Sequence, residues 1–566
     1  MKYGELRHSA AHVLAAAVKR LFPNVKLAIG PAIEEGFYYD FENKKPFIPE
    51  DLEKIEKEMK KIIKENLLFK RIKKTRKEAE NILRDEPYKL ELLKDIPDDN
   101  IFFYSNGDFI DLCAGPHVKT TKDVKAVKLL KIAGAYWKGD SKNKQLQRIY
   151  GIAFPSKKEL DDFLKNIKEA EKRDHRKIGK QMELFSIHGE APGMAFFHGN
   201  GNFIWDKLSE FMIFEMEKLG YEMNRTPIIL NKELWLKSGH WDHYKENMYF
   251  TKIEGADYAV KPMNCPGNIL IFKNRLHSYR ELPIKAGEFG IVHRHELSGV
   301  LSGLFRVRAF TQDDAHIFCT EEQVKDQIIE LINLTDKVYS VFGFDYDVEL
   351  STMPTEAMGT LKMWKTAEKA LSEALKTRKI KFTINEGEGA FYGPKIDFHV
   401  KDALGRSWQC GTIQLDFSMP EKFDLTYENI DGRKHRPVMI HRTIYGSFER
   451  FIGILIEHYA GKFPLWLSPV QIKILTLTDK NKKYGKEVYE KFKKEGLRVV
   501  LDDRSESMGR KVRDAQLSNF NYIITVGDKE QKNKTLAVRT LDGKVKFGVK
   551  INSFLKKVLD EIDRKE

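Results

Sequence analysis

Apolar side chains recur one helical turn apart from Arg7 to Leu21, which predicts a helix with a continuous apolar middle, Val13 to Val18. Ile55, Met59, Ile62 and Ile63 repeat that spacing inside the Lys-rich stretch Asp51 to Arg84, whose charges then form a solvated helix face. Leu160, Phe163, Leu164 and Ile167 do the same in a charge-dense segment, Lys157 to Gln181, that reads as one connecting helix. Further on, an amphipathic helix from Asn202 to Leu219 precedes strand-like runs at Ile284 to Ala286 and Ile396 to Val400, and Phe451 to Tyr459 reads as an apolar helix. Beyond Pro464 and Pro469, β-rich runs (Ile472 to Thr478, Arg498 to Asp502, Tyr522 to Val526, Leu536 to Arg539) alternate with helical patterns, which predicts a small α/β domain. The pattern divides the chain into residues 1–155, a linker helix at 156–181, a large block at 182–467 and a last block at 468–566.

Composition narrows the class. With 566 residues, 42% hydrophobic and 32% charged, the chain has room for several packed domains and is not a disordered one. No apolar stretch reaches the roughly 18 residues needed to span a bilayer. Val13 to Val18 lies between His12 and Lys19-Arg20 without a small-residue cleavage pattern, which argues against a secretory signal. Cys113, Cys265, Cys319 and Cys410 include no CxxC pair, so a disulfide scaffold is excluded and a cytoplasmic enzyme is the expectation. The net charge is +14, and Lys and Arg exceed Asp and Glu by nine from Gln471 to Glu566. A basic terminal module suits a polyanion such as nucleic acid, although a Lys-rich composition throughout produces the same balance.

His8-x-x-x-His12 places two imidazoles on one helix face, and Asp111-Leu-Cys113-Ala-Gly-Pro-His117 adds a thiol and a third imidazole around a Gly-Pro turn. Such a set is either zinc-binding or a metal-free hydrolytic site. By itself the HxxxH pair on an Ala-rich helix is incidental; the Cys-x-x-x-His turn raises the functional reading above that. The spacing resembles the editing domain shared by threonyl- and alanyl-tRNA synthetases.

Gly287 to Phe318 combines Arg294, Glu296, Arg306 and Arg308 with the acidic pair Asp313-Asp314. Guanidinium groups clamp phosphate oxygens in bidentate fashion, and Gly299 and Gly303 predict a tight strand–loop–strand hairpin. No GxxxxGK[ST] is present, which excludes a P-loop. At His441-Arg-Thr-Ile-Tyr-Gly446-Ser447-Phe448-Glu449-Arg450, a helix opens with its N-terminus available to an anionic or polar ligand. These two segments resemble motifs 2 and 3 of class II aminoacyl-tRNA synthetases, with motif 1 as the helix from Asn202 running into a strand from Tyr221 to Pro227. Within that class Lys261-Pro-Met263-Asn-Cys265, Gln312-Asp-Asp314-Ala-His316 and Val438-Met-Ile-His441 resemble the threonyl-tRNA synthetase family, and the likeness runs over nearly the whole chain.

The resemblance implies an α+β multidomain protein: an antiparallel-sheet class II catalytic core, an N-terminal α+β editing domain and a C-terminal α/β anticodon-binding domain. It implies one Zn2+ per subunit held by Cys265, His316 and His441, each of which alone has an ordinary core reading. It gives Arg294 the α-phosphate and the amino-acid carboxylate, Glu296 the adenine side, and Arg306 and Arg450 the γ-phosphate or the adenine. Met263, Gln312, Asp314, Tyr392, Gln409 and Gln414 would line the amino-acid pocket, although Tyr392 and Gln414 also read as core positions. The implied reaction joins L-threonine to tRNA(Thr) through threonyl-adenylate, with ATP carried as its Mg2+ complex, in a homodimer with no membrane association. His8, His12, Cys113 and His117 would remove serine mischarged on tRNA(Thr). Asp502 to Arg513 resembles the anticodon-binding domain, with Glu530 and Arg539 as base readers; Ser505 stands where many members carry Asn, which puts a base contact there in doubt. Members usually carry a small ubiquitin-like domain before the editing domain, and this chain is expected to lack it.

Two other readings compete. A catalytically silent tRNA-sensing paralogue would be expected to lose an arginine or a ligand, and Arg294, Arg306, Arg450 and the three ligands are all present. A ligase for proline or glycine does not fit the Cys-His-His set, and one for serine conflicts with a domain that destroys seryl-tRNA.

Overall fold

The small side chains of the first predicted helix let it be buried on nearly all sides. α1 (Gly4–Leu21) keeps Ala10, Ala11, Val13, Leu14 and Ala17 wholly out of solvent. It lies against α2 (Pro49–Glu65), whose Ile55, Met59 and Ile62 join the same core. Both cover an antiparallel sheet of β1 (Lys26–Leu27), β2 (Ala32–Ile33), β3 (Gly36–Glu42), β7 (Ala126–Tyr136) and β8 (Gln145–Phe154), in the order β1-β3-β8-β7 with β2 on β3. Alternation along β3 sends Phe37, Tyr39 and Phe41 inward, each contributing about 1.5–3 kcal/mol by burial. A second sheet, β4 (Lys70–Lys73), β5 (Phe102–Asn106) and β6 (Phe109–Leu112), delivers Asp111 and Cys113. All of this belongs to the first of two units, Met1–Lys168 and Glu169–Glu566, in a computed structural model that describes residues 3–34, 36–98, 101–140 and 142–565.

The expected single connecting helix is two, α3 (Lys157–Arg173) and α4 (His175–Gln181). Asp174 leaves helical geometry (φ −48, ψ 116) and its carboxylate accepts from the Arg176 N–H, so it caps a new helix instead of continuing the old one.

The second unit is built on eight strands: β9 (Glu222–Met223), β10 (Ile284–His293), β11 (Ala309–Cys319), β12 (Asp345–Ser351), β13 (Thr383–Asn385), β14 (Lys395–Lys401), β15 (Ser407–Asp416) and β16 (Val438–Thr443). Their order is β9-β10-β11-β16-β15-β14-β12-β13, antiparallel except at the two outermost pairs. Helices α5 (Gly199–Lys218), α7 (Val324–Val341), α8 (Leu361–Thr377) and α9 (Phe448–Tyr459) pack on one face, against Ile317, Ile413, Leu415 and Ile440, while α6 (Cys265–Lys273) has a separate small core. The strand expected from Tyr221 to Pro227 is regular only at β9, because the Thr226 N–H turns aside to the Glu288 carboxylate (2.9 Å).

Nor is the segment between β10 and β11 the tight hairpin expected from Gly299 and Gly303. Residues 294–308 form a long connection with a 3-10 turn at Ser298–Val300. Its backbone closes on itself at Arg294–Arg308 and Ser302–Arg306 and also reaches outward, the Arg308 N–H to Gly193 O (2.6 Å) and the Leu304 N–H to the His175 ring (3.0 Å).

The last part of this unit is a five-stranded sheet of β17 (Ile472–Thr476), β18 (Val499–Asp502), β19 (Tyr522–Val526), β20 (Thr535–Thr540) and β21 (Val545–Lys550), ordered β18-β17-β19-β20-β21. Three parallel strands with interleaved helices followed by two antiparallel ones make it α/β. Among the described residues no helix is long and apolar enough to cross a membrane.

Candidate functional site

The first unit brings His8, His12, Cys113 and His117 together, their ligand-type atoms within 4.8 Å of one another. One turn of α1 separates the two histidines, and the Gly115-Pro116 turn after β6 folds His117 back over them. Cys113 Sγ lies 3.4 Å from both His8 Nε2 and His117 Nε2. Neighbours settle both tautomers. His8 Nδ1 faces Pro116 O (3.2 Å) and must donate. Ser9 Oγ gives its proton to Glu5 O, so His117 Nδ1, 3.0 Å away, donates to Ser9. Both Nε2 atoms are therefore acceptors aimed at one thiol. Burial pushes the Cys113 thiol up to about 11 and lowers His117 to about 2, and it lowers His8 and, further, His12. The result is a neutral, half-desolvated pocket with two acceptor nitrogens able to hold and orient water, resting on a buried Asp111 that accepts from Tyr39 (2.6 Å) and pairs with Lys89 (2.8 Å).

In the second unit a cavity of about 550 Å³ opens on the sheet face away from the helices. It is lined by all thirteen candidates read from the large block: Met263, Cys265, Arg294, Glu296, Arg306, Gln312, Asp314, His316, Tyr392, Gln409, Gln414, His441 and Arg450. Strand alternation places Gln312, Asp314 and His316 side by side on β11. Register sets His441 of β16 directly opposite His316, with Gln414 of β15 next in the row. Cys265 reaches the row from the first residue of α6. The same alternation separates the acidic pair. Asp313 points to the other face, where it pairs with Arg442 and accepts from the Ile444 and Tyr445 N–H groups; Asp314 faces the cavity beside Asn264 (3.2 Å).

Cys265, His316 and His441 place their donor atoms within 4.8 Å and are all buried. Neither His316 nitrogen has a hydrogen-bond partner among the described residues, a state that costs about 1–3 kcal/mol per buried polar atom. His441 Nε2 lies 2.9 Å from the Asp416 carboxylate, which orients the ring with its other nitrogen free to ligate, as carboxylates behind metal-bound histidines do. Burial pushes the Cys265 thiol well up, so a thiolate there needs a cation beside it. A soft thiolate and two imidazoles in a closed pocket suit zinc.

Cations occupy the other end. Arg294 lies over the Phe310 ring (5.0 Å) with Nε on Pro262 O, Arg306 pairs with Glu296 (2.9 Å), and Arg450 is held by Phe305 O (2.9 Å) and Gln409 O (3.3 Å). Gln414 Nε2 donates to Gly393 O (3.0 Å), bracing the turn that carries Tyr392, and Gln409 Nε2 donates to Asp397 (2.8 Å). Sequence reasoning missed Lys395 and Thr412, which also line the cavity; the only signal for Lys395 was its place just after Phe391-Tyr-Gly-Pro394. The two anticodon candidates are engaged locally: Glu530, in the short helix Asp528–Asn533, accepts from the Gly527 N–H (3.1 Å), and Arg539 of β20 donates to Gly543 O (2.9 Å).

Glu449, next to Arg450, has both carboxylate oxygens on the Thr311 N–H (3.1 and 2.9 Å), and burial raises it from 4.5 to about 8. Folding thus favours its protonated form, a contribution fully present below 4.5 and lost as pH rises through about 8. Glu449→Gln, which keeps an acceptor for Thr311, is expected to melt above the parent protein at alkaline pH and to flatten the fall of Tm with pH. Parallel Tm–pH curves for the two proteins would count against this burial argument.

Comparison with known proteins covers all three regions. The chain matches the tRNA synthetase class II core domain (G, H, P, S and T) over residues 249–459, the anticodon binding domain over 469–561 and the threonyl and alanyl tRNA synthetase second additional domain over 101–150. It is 60% identical over 536 residues to a threonine–tRNA ligase of Carboxydothermus hydrogenoformans, covering 94% of this chain and 84% of that one. To a threonine–tRNA ligase of Clostridium tetani it is 57% identical over 563 residues, covering 99% and 88%. A crystal structure described as the RNA binding domain of threonyl-tRNA synthetase from Cryptosporidium parvum Iowa II superposes with a TM-score of 0.66 at 40% identity, covering 69% of this chain and 98% of that one.

Proposed function

This chain belongs to the threonine–tRNA ligase family of class II aminoacyl-tRNA synthetases, and on that premise we propose that it charges tRNA(Thr) through threonyl-adenylate and hydrolyses seryl-tRNA(Thr) in its N-terminal unit. The observation that carries the reading is one cavity holding a Cys–His–His donor set at one end and three arginines at the other.

Arg294 binds the α-phosphate and the threonine carboxylate, bringing the attacking oxygen to phosphorus, and Arg306 and Arg450 hold the far end of the ATP–Mg2+ triphosphate, with Glu296 on the adenine side. The carboxylate oxygen forms a bond to the α-phosphorus, the bridge to the β-phosphate breaks, and pyrophosphate leaves with the charge the arginines neutralise. A terminal ribose hydroxyl of tRNA then attacks the mixed anhydride, releasing AMP. Positioning and fixed charge supply most of the acceleration.

Cys265, His316 and His441 would hold zinc, which when bound offers a coordination position to the substrate amine and hydroxyl and so tells threonine from valine. Asp314 accepts a hydrogen bond from the amine or hydroxyl, with Met263, Gln312, Tyr392, Gln409 and Gln414 around it. Serine lacks only a methyl, worth about 1–3 kcal/mol, so a second site must remove it. His8, His12, Cys113 and His117 are assigned that task, with His8 Nε2 taking the proton of the attacking water and His117 Nε2 orienting it as a hydrogen-bond acceptor. Glu530 and Arg539 are assigned to anticodon bases. The reading includes a cytoplasmic location and a homodimer; exposed apolar side chains in and just after the motif 1 segment, Phe214, Met223, Ile228 and Ile229, support the second.

Amino-acid-dependent ATP–pyrophosphate exchange, with metal content determined on the same sample, tests the reading. Expected are exchange with threonine, weaker exchange with serine, none with valine, and about one zinc per chain. A metal-loaded protein without exchange for any amino acid would replace the ligase with a tRNA-sensing role.

A further inference from the structure

His175 opens the short helix α4, outside the 294–308 connection and the α9 segment that carry the ATP arginines, and it is 2% exposed. Its Nε2 accepts from the Leu304 N–H (3.0 Å) at the tip of the loop after β10. Nδ1 must therefore carry the proton, and it donates to Glu457 Oε1 on α9 (2.7 Å), which the His175 backbone N–H also reaches (3.0 Å). Glu457 Oε2 is held by Arg406 (2.6 Å), Arg406 also pairs with Asp402 (2.6 Å), and Asp402 accepts from the Trp408 indole (3.0 Å). The Phe305 ring is wedged between His175 (4.2 Å) and Trp408 (4.3 Å).

The loop is shaped for this contact. Gly303 has φ +51, and a Cβ there would lie 2.2 Å from His175 Nε2. Gly453 lets α9 approach so closely that a Cβ would lie 3.0 Å from the Phe305 ring. Ser302 and Arg306 bond across the base of the tip, so fixing Leu304 and Phe305 also fixes Arg306. Phe305 O in turn accepts from Arg450 Nε (2.9 Å). Asp174, His175 and Glu457 could be taken for a metal cluster, but both His175 nitrogens are committed and Asp174 caps Arg176.

We propose that His175 is a positioning residue for adenylate formation, holding the 302–306 loop against α9 so that Arg306 and Arg450 face the same triphosphate. The proposal rests on the ATP reading of the cavity. In pyrophosphate exchange, His175→Phe fills the space without either hydrogen bond and is expected to raise the ATP KM about tenfold, the effect of one well-placed bond, while the threonine KM moves less than about twofold. His175→Gln, whose terminal amide can again accept from Leu304, is expected to recover most of that loss; His175→Asn, too short to reach, is not. A purely structural role would instead lower kcat through a smaller active fraction and leave both KM values alone, and that result, or Phe and Gln variants that behave alike, would overturn the proposal.

Arg306→Ala serves as the reference. If it leaves the ATP KM unchanged, the ATP reading fails; if it raises the ATP KM while His175→Phe does not, the His175 role alone fails. Should His175→Phe not fold, Gly303→Ala displaces the ring from the loop by its Cβ. The same ATP-selective defect is expected there, and an unmoved ATP KM would overturn the role.

Discussion

Cys265→Ser is expected to abolish stoichiometric zinc binding and to lower threonine-dependent pyrophosphate exchange by about three orders of magnitude, ~4 kcal/mol of transition-state stabilisation. Among the described residues the cluster is one thiol and two buried imidazoles. A serine hydroxyl stays protonated where a thiol can ionise beside a cation, so the donor set would lose its only negative charge. His316, with no hydrogen bond at either nitrogen among the described residues, would then stay buried and unsatisfied. Metal analysis and exchange kinetics on the same preparation decide the matter. Undiminished exchange by metal-free protein would remove the ion from the mechanism, and the hydroxyl of threonine would need another reader.

The second large effect is confined to the other unit. Replacing His8 and His12 together by Ala is expected to leave threonine charging within about twofold and to slow hydrolysis of seryl-tRNA(Thr) by roughly 10²–10⁴, the usual worth of a positioned acid–base group. His8 supplies one of the two acceptor nitrogens aimed at Cys113, and His12 is the buried ring that packs against His8 (5.3 Å) and His117 (4.3 Å). Their loss removes a base and the wall that holds His117 in place. The cavity proposed for threonine activation is lined by residues of the separate unit Glu169–Glu566. The measurement is the rate of serine release from mischarged tRNA, beside the rate of threonine charging. Serine clearance at the parent rate would refute the editing assignment.

How far the sequence carried can be judged from particular stretches. The runs at Tyr522 to Val526 and Phe451 to Tyr459 are a strand and the greater part of a helix in the structure, since alternation and helical spacing act between residues a few positions apart. The same locality explains the errors. One side-chain cap at Asp174 breaks a helix that periodicity alone continues, and the 294–308 connection is drawn out by the Gly193 carbonyl and the His175 ring, neither of them near it in sequence.

The candidate site divides in the same way. Contiguous motifs name residues by chemistry, so Arg294, Glu296, Cys265 and Arg450 can be singled out before any fold is known. No motif says that Asp313 and Asp314 face opposite sides of a sheet, that His316 stands opposite His441, or that Lys395 and His175 belong beside residues far along the chain. The sequence by itself determined the element types, the family and the chemistry available, because residue type and short-range spacing encode those. Which side chains meet was decided only by the tertiary structure, because strand register and loop docking depend on partners distant in the chain, and a shift of one residue in register sends every side chain of a strand to the other face.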